Sequence, residues 1–226
     1  MKNVKMCLLI IVVLASCLQA QSRPWSVVLD DWALLGTNTI REGTVQSIST
    51  WQSTTLYISM AVASTTAHTD GTVFHIQISP RDSGDETWME QASYTMGKGI
   101  TGSSTILDTT PNAGSTTILI NNTTTATMGR LDDDGMRYIF MLDSSTVANS
   151  EICLLSAHTT GAATSVTILD GLTNTPGASS TIWDWAETYI YELPKQANRV
   201  RVIADNTYDP DGSIIYTYCA IFGQRP

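Results

Sequence analysis

TIWDWAETYIYELP, residues 181–194, alternates its side chains with the period of a pleated β-strand. Its large aromatic side chains share one parity and are Trp183, Trp185, Tyr189 and Tyr191. Apolar side chains occupy part of the other parity, and a proline ends the run because it cannot donate to a strand ladder. The pattern predicts one strand that is at least partly covered on both faces.

Two further strands are predicted, NRVRVIAD at 198–205 and SIIYTYCAIF at 213–222. The Asp211-Gly212 pair between them favours a hairpin turn, because glycine adopts positive φ without steric cost. We therefore expect the three strands to form a meander covered by a second sheet. Residues 55–79 show the same order of strand, loop ending in Asp-Gly, and strand. We interpret this similarity as the same hairpin pattern occurring twice.

The composition favours a single β-rich domain. Of the 226 residues, 42% are hydrophobic and 15% are charged, which is enough apolar content for a core. About ten strand-like runs follow the N-terminal segment, with no helical pattern among them. We predict an all-β fold, an antiparallel β-sandwich of jelly-roll or immunoglobulin-like type. Since no linker divides the chain, residues 21–226 are expected to form one sandwich domain.

The charge balance excludes one class of partner. The chain has a net charge of -9 and a pI near 4.6. Nucleic-acid binding requires clustered lysine and arginine, and the sequence has no such cluster. We therefore predict no nucleic-acid partner.

Residues 1–20 have the layout of a secretory signal peptide. Lysines precede an apolar run, 6–15, that is too short to span a membrane. Leu14-Ala15-Ser16-Cys17 resembles the lipobox of bacterial lipoproteins, and the resemblance implies that Cys17 is acylated. The alternative is cleavage after Ala20. Either way we predict an exported protein, extracellular or on the cell surface, which contacts membrane only if Cys17 carries a lipid.

Two cysteines remain in the mature domain, Cys153 and Cys219. An even number of cysteines in an oxidising compartment favours a disulfide, and we predict that these two form one. The alternative is a pair of buried thiols that act as small apolar side chains.

Two acidic loops are candidate calcium sites, since calcium prefers carboxylate oxygens. Their ligands would be Asp132, Asp133 and Asp134 in one loop and Asp205, Asp209 and Asp211 in the other. Neither loop matches an EF-hand, and the alternative is a pair of solvated turns. No other cofactor is predicted, because the histidines do not have the spacing of a zinc site.

Asn121 and Asn122 begin overlapping N-x-Thr sequons and are candidate glycosylation sites. An unmodified polar loop is the alternative. Asp184 and Glu187 could suggest a glycosidase pair, but their opposite parities place them on opposite faces of a strand. We therefore predict that the protein is not an enzyme. Trp183, Trp185, Tyr189 and Tyr191 are expected to form core, a subunit interface or a sugar-stacking surface.

These features predict an exported structural protein, a self-associating β-sandwich subunit of a surface layer, filament or appendage. Three uncharged segments, 54–64, 115–127 and 213–223, are expected to provide open strand edges for pairing between copies. A carbohydrate-binding surface module is the first alternative, and a phage or virion structural sandwich is the second.

Overall fold

The computed structural model describes residues 24–84, 87–121, 138–157, 165–208 and 212–224. These residues form fifteen strands and one short 3-10 turn. The elements are β1 Pro24–Leu35, β2 Ile40–Glu42, β3 Gln46–Ser47, β4 Ser53–Val62, β5 Thr72–Ser79, β6 Met89–Met96, β7 Ser104–Leu107, β8 Thr117–Asn121, β9 Tyr138–Leu142, the turn Val147–Asn149, β10 Glu151–Ala157, β11 Ser165–Ile168, β12 Thr181–Trp183, β13 Ala186–Glu192, β14 Arg199–Asp205 and β15 Ile215–Gln224.

The predicted all-β antiparallel sandwich is confirmed. The strands outnumber the predicted ten because several long runs are interrupted; residues 181–194, for example, divide into β12 and β13. In the ranges that the structure describes, no helix is long and apolar enough to span a membrane.

The sandwich is a jelly roll. Its front sheet has the strand order β1-β15-β4-β13, and its back sheet has the order β2-β14-β5-β6 with β3 beside β14. The pairs β1–β15, β2–β14, β4–β13 and β5–β6 are all antiparallel and nest within one another along the chain. Such nesting is what a long hairpin produces when it is rolled into two sheets.

The predicted C-terminal meander is wrong. β13 and β15 both pair with β4 in the front sheet, whereas β14 pairs with β5 in the back sheet. The Asp-Gly connections after β4 and after β14 therefore cross from one sheet to the other instead of closing hairpins. Gly71 and Gly212 have φ of 80° and 75°, so glycine is needed for these crossings as it would be for hairpins.

The two crossing connections are joined by buried polar side chains. The ring of His68 contacts Ser213 Oγ through Nδ1 at 2.7 Å and Thr72 Oγ1 through Nε2 at 3.0 Å. Thr72 Oγ1 donates to Asn206 Oδ1 at 3.3 Å, and Asn206 Nδ2 donates to the carbonyl of Gly36 at 3.0 Å. Because the Thr72 hydroxyl donates to Asn206, the His68 ring donates to Thr72 from Nε2. We call these four side chains the crossing network.

The main core lies between the two sheets. Its largest fully buried side chains on the central strands are Leu56, Ile58, Met60, Phe74 and Ile76. They alternate along β4 and β5 with side chains that point away from the core, as a two-sheet sandwich requires.

A closed barrel lies between β6 and β13 in the sequence. Its strand order is β10-β11-β8-β7-β12-β9, and it has a separate core that includes Ile118, Ile139 and Ile182. A third cluster, Trp32, Ala61, Phe140 and Ala186, joins the barrel to the outer face of the front sheet. The sequence pattern predicts only a sandwich over residues 21–226, and this barrel is an addition to it.

We predict that Thr72→Val destabilises the fold by about 1–3 kcal/mol, because it removes a buried hydroxyl shared by His68 and Asn206 while preserving side-chain shape. Thr95→Val is the matched control, since Thr95 is an exposed strand threonine and its loss should change the unfolding free energy by less than about 0.5 kcal/mol. Urea unfolding measures both. Equal effects of the two substitutions would show that the crossing network contributes nothing to stability.

Candidate interaction surfaces

The jelly roll has two open sides, each formed by one edge strand from each sheet. β1 and β2 flank one side, and β6 and β13 flank the other. An edge strand presents unpaired N–H and C=O groups that can pair with another chain, and soluble proteins usually block such edges. The two sides differ in how far they are blocked.

The β1–β2 side is blocked by charge and by irregular backbone. Arg41 on β2 pairs with Asp30 on β1, with Nη2 2.6 Å from Oδ2. The same guanidinium donates to the carbonyl oxygens of Thr217 and Leu34. Burial raises the pKa of Asp30 above its ordinary value, against the opposing effect of Arg41. The register of β1 also shifts twice, and β2 and β3 are only three and two residues long.

On the β6–β13 side, aromatic rings connect the two edge strands. Tyr94 on β6 stacks on Tyr189 of β13, with ring centroids 4.0 Å apart and an interplanar angle of 12°. Tyr191 lies beside Tyr189 at 6.4 Å. The Tyr94 hydroxyl donates to Glu187 Oε1 at 3.2 Å, and burial and then Glu187 raise the pKa of Tyr94, so this phenol stays protonated.

The β13 edge is regular and open. Its pairing with β4 runs from Ala186 to Glu192 without a register shift, and the described residues place no strand ladder on its other side. Ile190, in the middle of β13, is 54% exposed. β13 contains no lysine or proline, the residues that most often block an edge. This strand is therefore a regular and accessible pairing edge of the jelly roll.

The predicted aromatic site is only partly assembled. Trp185, Tyr189 and Tyr191 pack against the sandwich core, whereas Trp183 packs against the cluster that joins sandwich and barrel. The strand is interrupted between Trp183 and Ala186. At this break, Asp184 Oδ1 accepts a hydrogen bond from the Ser103 amide at 2.7 Å. The four aromatic side chains therefore do not form one continuous stacking surface.

The described parts of the three uncharged segments, 54–64, 115–121 and 213–223, are not sandwich edges. β4 lies between β15 and β13, β15 lies between β1 and β4, and β8 lies within the closed barrel. β4 and β15 lack charge because each lies between two strands and most of its side chains are covered. The expectation that they form open edges is wrong.

The predicted disulfide between Cys153 and Cys219 is also wrong. Both are free cysteines in the structure, and they belong to different cores, Cys153 to the barrel and Cys219 to the sandwich. Burial raises the pKa of both thiols well above the ordinary value. The alternative of two buried thiols describes the structure.

Most of the predicted calcium and modification sites lie outside the described residues, including Cys17, Asn122, Asp132, Asp133, Asp134, Asp209 and Asp211. Asp205 is described: its Oδ1 accepts from the amide and the hydroxyl of Thr207 at 2.9 and 2.6 Å, which forms a local turn. Asn121 ends β8 opposite Ile106. The described residues contain no group of three side chains that could hold a metal ion.

A groove of about 520 Å³ lies between the outer face of the front sheet and the barrel. Its floor is aromatic and apolar, formed by Val28, Trp32, Tyr57, Ile190, Tyr218 and Phe222. Its barrel wall is mixed: Ser150, Glu151, Thr173 and Asn174 are its polar members, and Tyr138, Ala148 and Ile152 line it as well. This groove was not predicted from the sequence, although Tyr57 and Tyr218 alternate with core residues on their strands and therefore face outward.

Comparisons with known proteins give only distant likenesses. No family model matches the chain, and no curated protein matches it. Among solved structures, the chain is similar to VP17, a capsid protein of bacteriophage P23-77, at 10% identity and a TM-score of 0.18, covering 90% of this chain and 97% of that one. It is similar to a chain in the structure of infectious bursal disease virus Gx strain at 9% identity and a TM-score of 0.21, and the match covers 91% of this chain and 42% of that chain. Likenesses this weak carry no argument about function.

We predict that Cys153 and Cys219 resist alkylation in the folded protein and react fully after unfolding without reductant. Because burial raises the pKa of both thiols, the fraction of reactive thiolate should stay negligible even in mildly alkaline buffer. Peptide mass spectrometry after iodoacetamide treatment measures the reaction. If these peptides stay unmodified until a reductant is added, the two cysteines form a disulfide and the prediction of free thiols is wrong.

Proposed function

We propose that the protein is a structural subunit that associates with copies of itself and that the contact forms at the β13 edge. The observation that carries the proposal is a regular, seven-residue edge strand with an exposed isoleucine next to its central residue. A second copy could add its own edge strand there and satisfy the unpaired main-chain groups by β-augmentation. The protein needs no catalytic group for such a role, and we propose that it is not an enzyme.

The contrast between the two sides supports this choice of contact. The β1–β2 side combines an ion pair, register shifts and very short strands, all of which oppose pairing with another chain. The β6–β13 side has tyrosine rings that support β13 from the core side. Tyrosine is enriched in protein interfaces because it combines apolar area with a polar edge.

The charge of the chain sets the conditions for association. Glu187 and Glu192 lie on β13, and the whole chain carries a net charge of -9. Copies therefore repel one another at low ionic strength, and salt should weaken the repulsion because the Debye length is about 8 Å near physiological ionic strength. Association is expected to strengthen with added salt.

The jelly roll is compatible with a coat or surface-layer subunit, since this fold is used in capsid proteins as well as in lectins. Fold alone does not decide between these uses, so the proposal rests on the open edge. An exported surface protein is the first choice because of the signal-like segment 1–20, and a virion coat protein is the alternative.

We predict that Ile190→Lys weakens self-association at least about tenfold, because it places a charge on the proposed edge contact. Leu169→Lys is the matched control, since Leu169 is 58% exposed on the barrel and lies away from β13. Sedimentation velocity over a concentration series at several salt concentrations measures the effect. A wild-type chain that stays monomeric in every condition, or equal loss in both variants, would refute the contact.

We also predict that protein recovered from its native source lacks residues 1–16 or 1–20. Cleavage before Cys17 with a lipid on that cysteine, or cleavage after Ala20, follows from the layout of the segment. Intact mass and N-terminal peptide analysis distinguish the two products. A mature chain that retains Met1–Ala20 would refute export by this route and favour the virion alternative.

A further inference from the structure

The groove between the front sheet and the barrel has the dimensions of a small-ligand site. Its volume of about 520 Å³ falls within the range of roughly 300–1,000 Å³ that is typical of such sites. It is concave and lies between two separately packed cores, where the cluster around Trp32 and Phe140 ends. A protein partner would instead need roughly 800 Å² of surface on each side, more than a recess of this kind offers.

The aromatic rings of the floor are held in fixed positions. Tyr57 packs edge-on against Phe222 with centroids 4.8 Å apart, and Trp32 stacks on Tyr218 at 5.4 Å. Phe222 is nevertheless 42% exposed, so part of this residue remains accessible to a ligand. Fixed rings with accessible faces offer flat apolar area, which suits the C–H face of a pyranose ring.

Polar groups of the wall are positioned by the backbone. Glu151 accepts hydrogen bonds from the amides of Thr173 and Asn174, at 2.9 and 3.1 Å. Asn174 Nδ2 donates to the carbonyl of Asn149 at 3.3 Å. Each carboxylate oxygen of Glu151 therefore uses one lone pair and retains another, which can accept from a ligand hydroxyl.

The opposite rim adds a second acceptor and a pair of hydroxyls. Asp31 lines the groove and accepts the Trp32 amide through Oδ1 at 2.9 Å. Ser59 and Thr188 hydrogen-bond to each other at 2.9 Å on the floor. Burial and Asp31 raise the pKa of Tyr218, which therefore keeps its proton and can act as a donor.

The charge of the lining selects the class of ligand. Among the described residues that line the groove, Asp31 and Glu151 are carboxylates and none is a lysine, arginine or histidine. An anionic ligand would meet uncompensated like charge and is disfavoured. A neutral ligand rich in hydroxyl groups matches both the acceptors and the aromatic floor.

We propose that the groove binds a short neutral oligosaccharide, with its sugar ring stacked near Phe222 and its hydroxyls bonded to Asp31 and Glu151. This site is distinct from the aromatic residues of β12 and β13 that the sequence suggested. The groove shares Thr188 and Ile190 with β13, but sugar binding and self-association are separate properties, and each is measured by its own method.

The test is a binding titration with maltotriose, cellotriose and chitotriose as neutral probes and with sialyllactose as the anionic probe, followed by ligand-observed NMR. At least one neutral probe is expected to bind with a millimolar or tighter dissociation constant, and sialyllactose is expected not to bind. Phe222→Ala should weaken binding about tenfold because it removes the stacking ring. Glu151→Gln should weaken it to a smaller extent because the amide still accepts one hydrogen bond.

Leu169→Ala is the matched control for Phe222→Ala, since it truncates an exposed apolar residue outside the groove. Thermal melting establishes that both variants fold, and sedimentation establishes whether they associate normally. The inference is overturned if no neutral probe binds, if sialyllactose binds as well as the neutral probes, or if Phe222→Ala binds like Leu169→Ala. It is likewise overturned if Phe222→Ala changes only self-association, because the groove would then hold a second copy.

Discussion

The pairing of two sheet-crossing connections is the constraint on which the jelly roll depends. The strands β4 and β5 belong to different sheets and form one sheet-crossing unit, and β14 and β15 form another. The two units pair with each other, β4 with β15 and β5 with β14. The crossing network of His68, Thr72, Asn206 and Ser213 joins them where water is excluded. A buried polar group that loses its partner is costly, so the network favours this arrangement of the two connections over others. The edges of both sheets, and hence the open and blocked sides, follow from it.

The sequence was sufficient to locate most sandwich strands but not their partners. Period-two alternation identified the runs that contain β13, β14 and β15, because alternation depends only on which faces are covered. The sheet to which each run belongs depends on distant contacts, and an Asp-Gly pair suits a crossing as well as a hairpin. The similarity between 55–79 and 198–222 could therefore be detected in the sequence. It arises because these are two sheet-crossing units that pair with each other, not two hairpins.

The candidate surfaces were predictable to different degrees. Tyr189 and Tyr191 were identified from their parity, and they do lie beside an open edge. The uncharged segments were misassigned because lack of charge reflects burial between neighbours as readily as an unguarded edge. The groove was missed because its floor and wall come from segments more than a hundred residues apart, including Tyr57 and Asn174, which only the barrel brings together.

Strand pairing at β13 is most directly tested by hydrogen exchange on dilute and concentrated protein at high salt. The proposal predicts that amides of β13 that do not bond to β4 exchange more slowly in the concentrated sample, while amides of β1 and β2 are unchanged. Slower exchange confined to β13 would locate the contact at the strand itself. Equal exchange of β13 amides at both concentrations, or protection of β1 and β2 instead, would contradict the proposal.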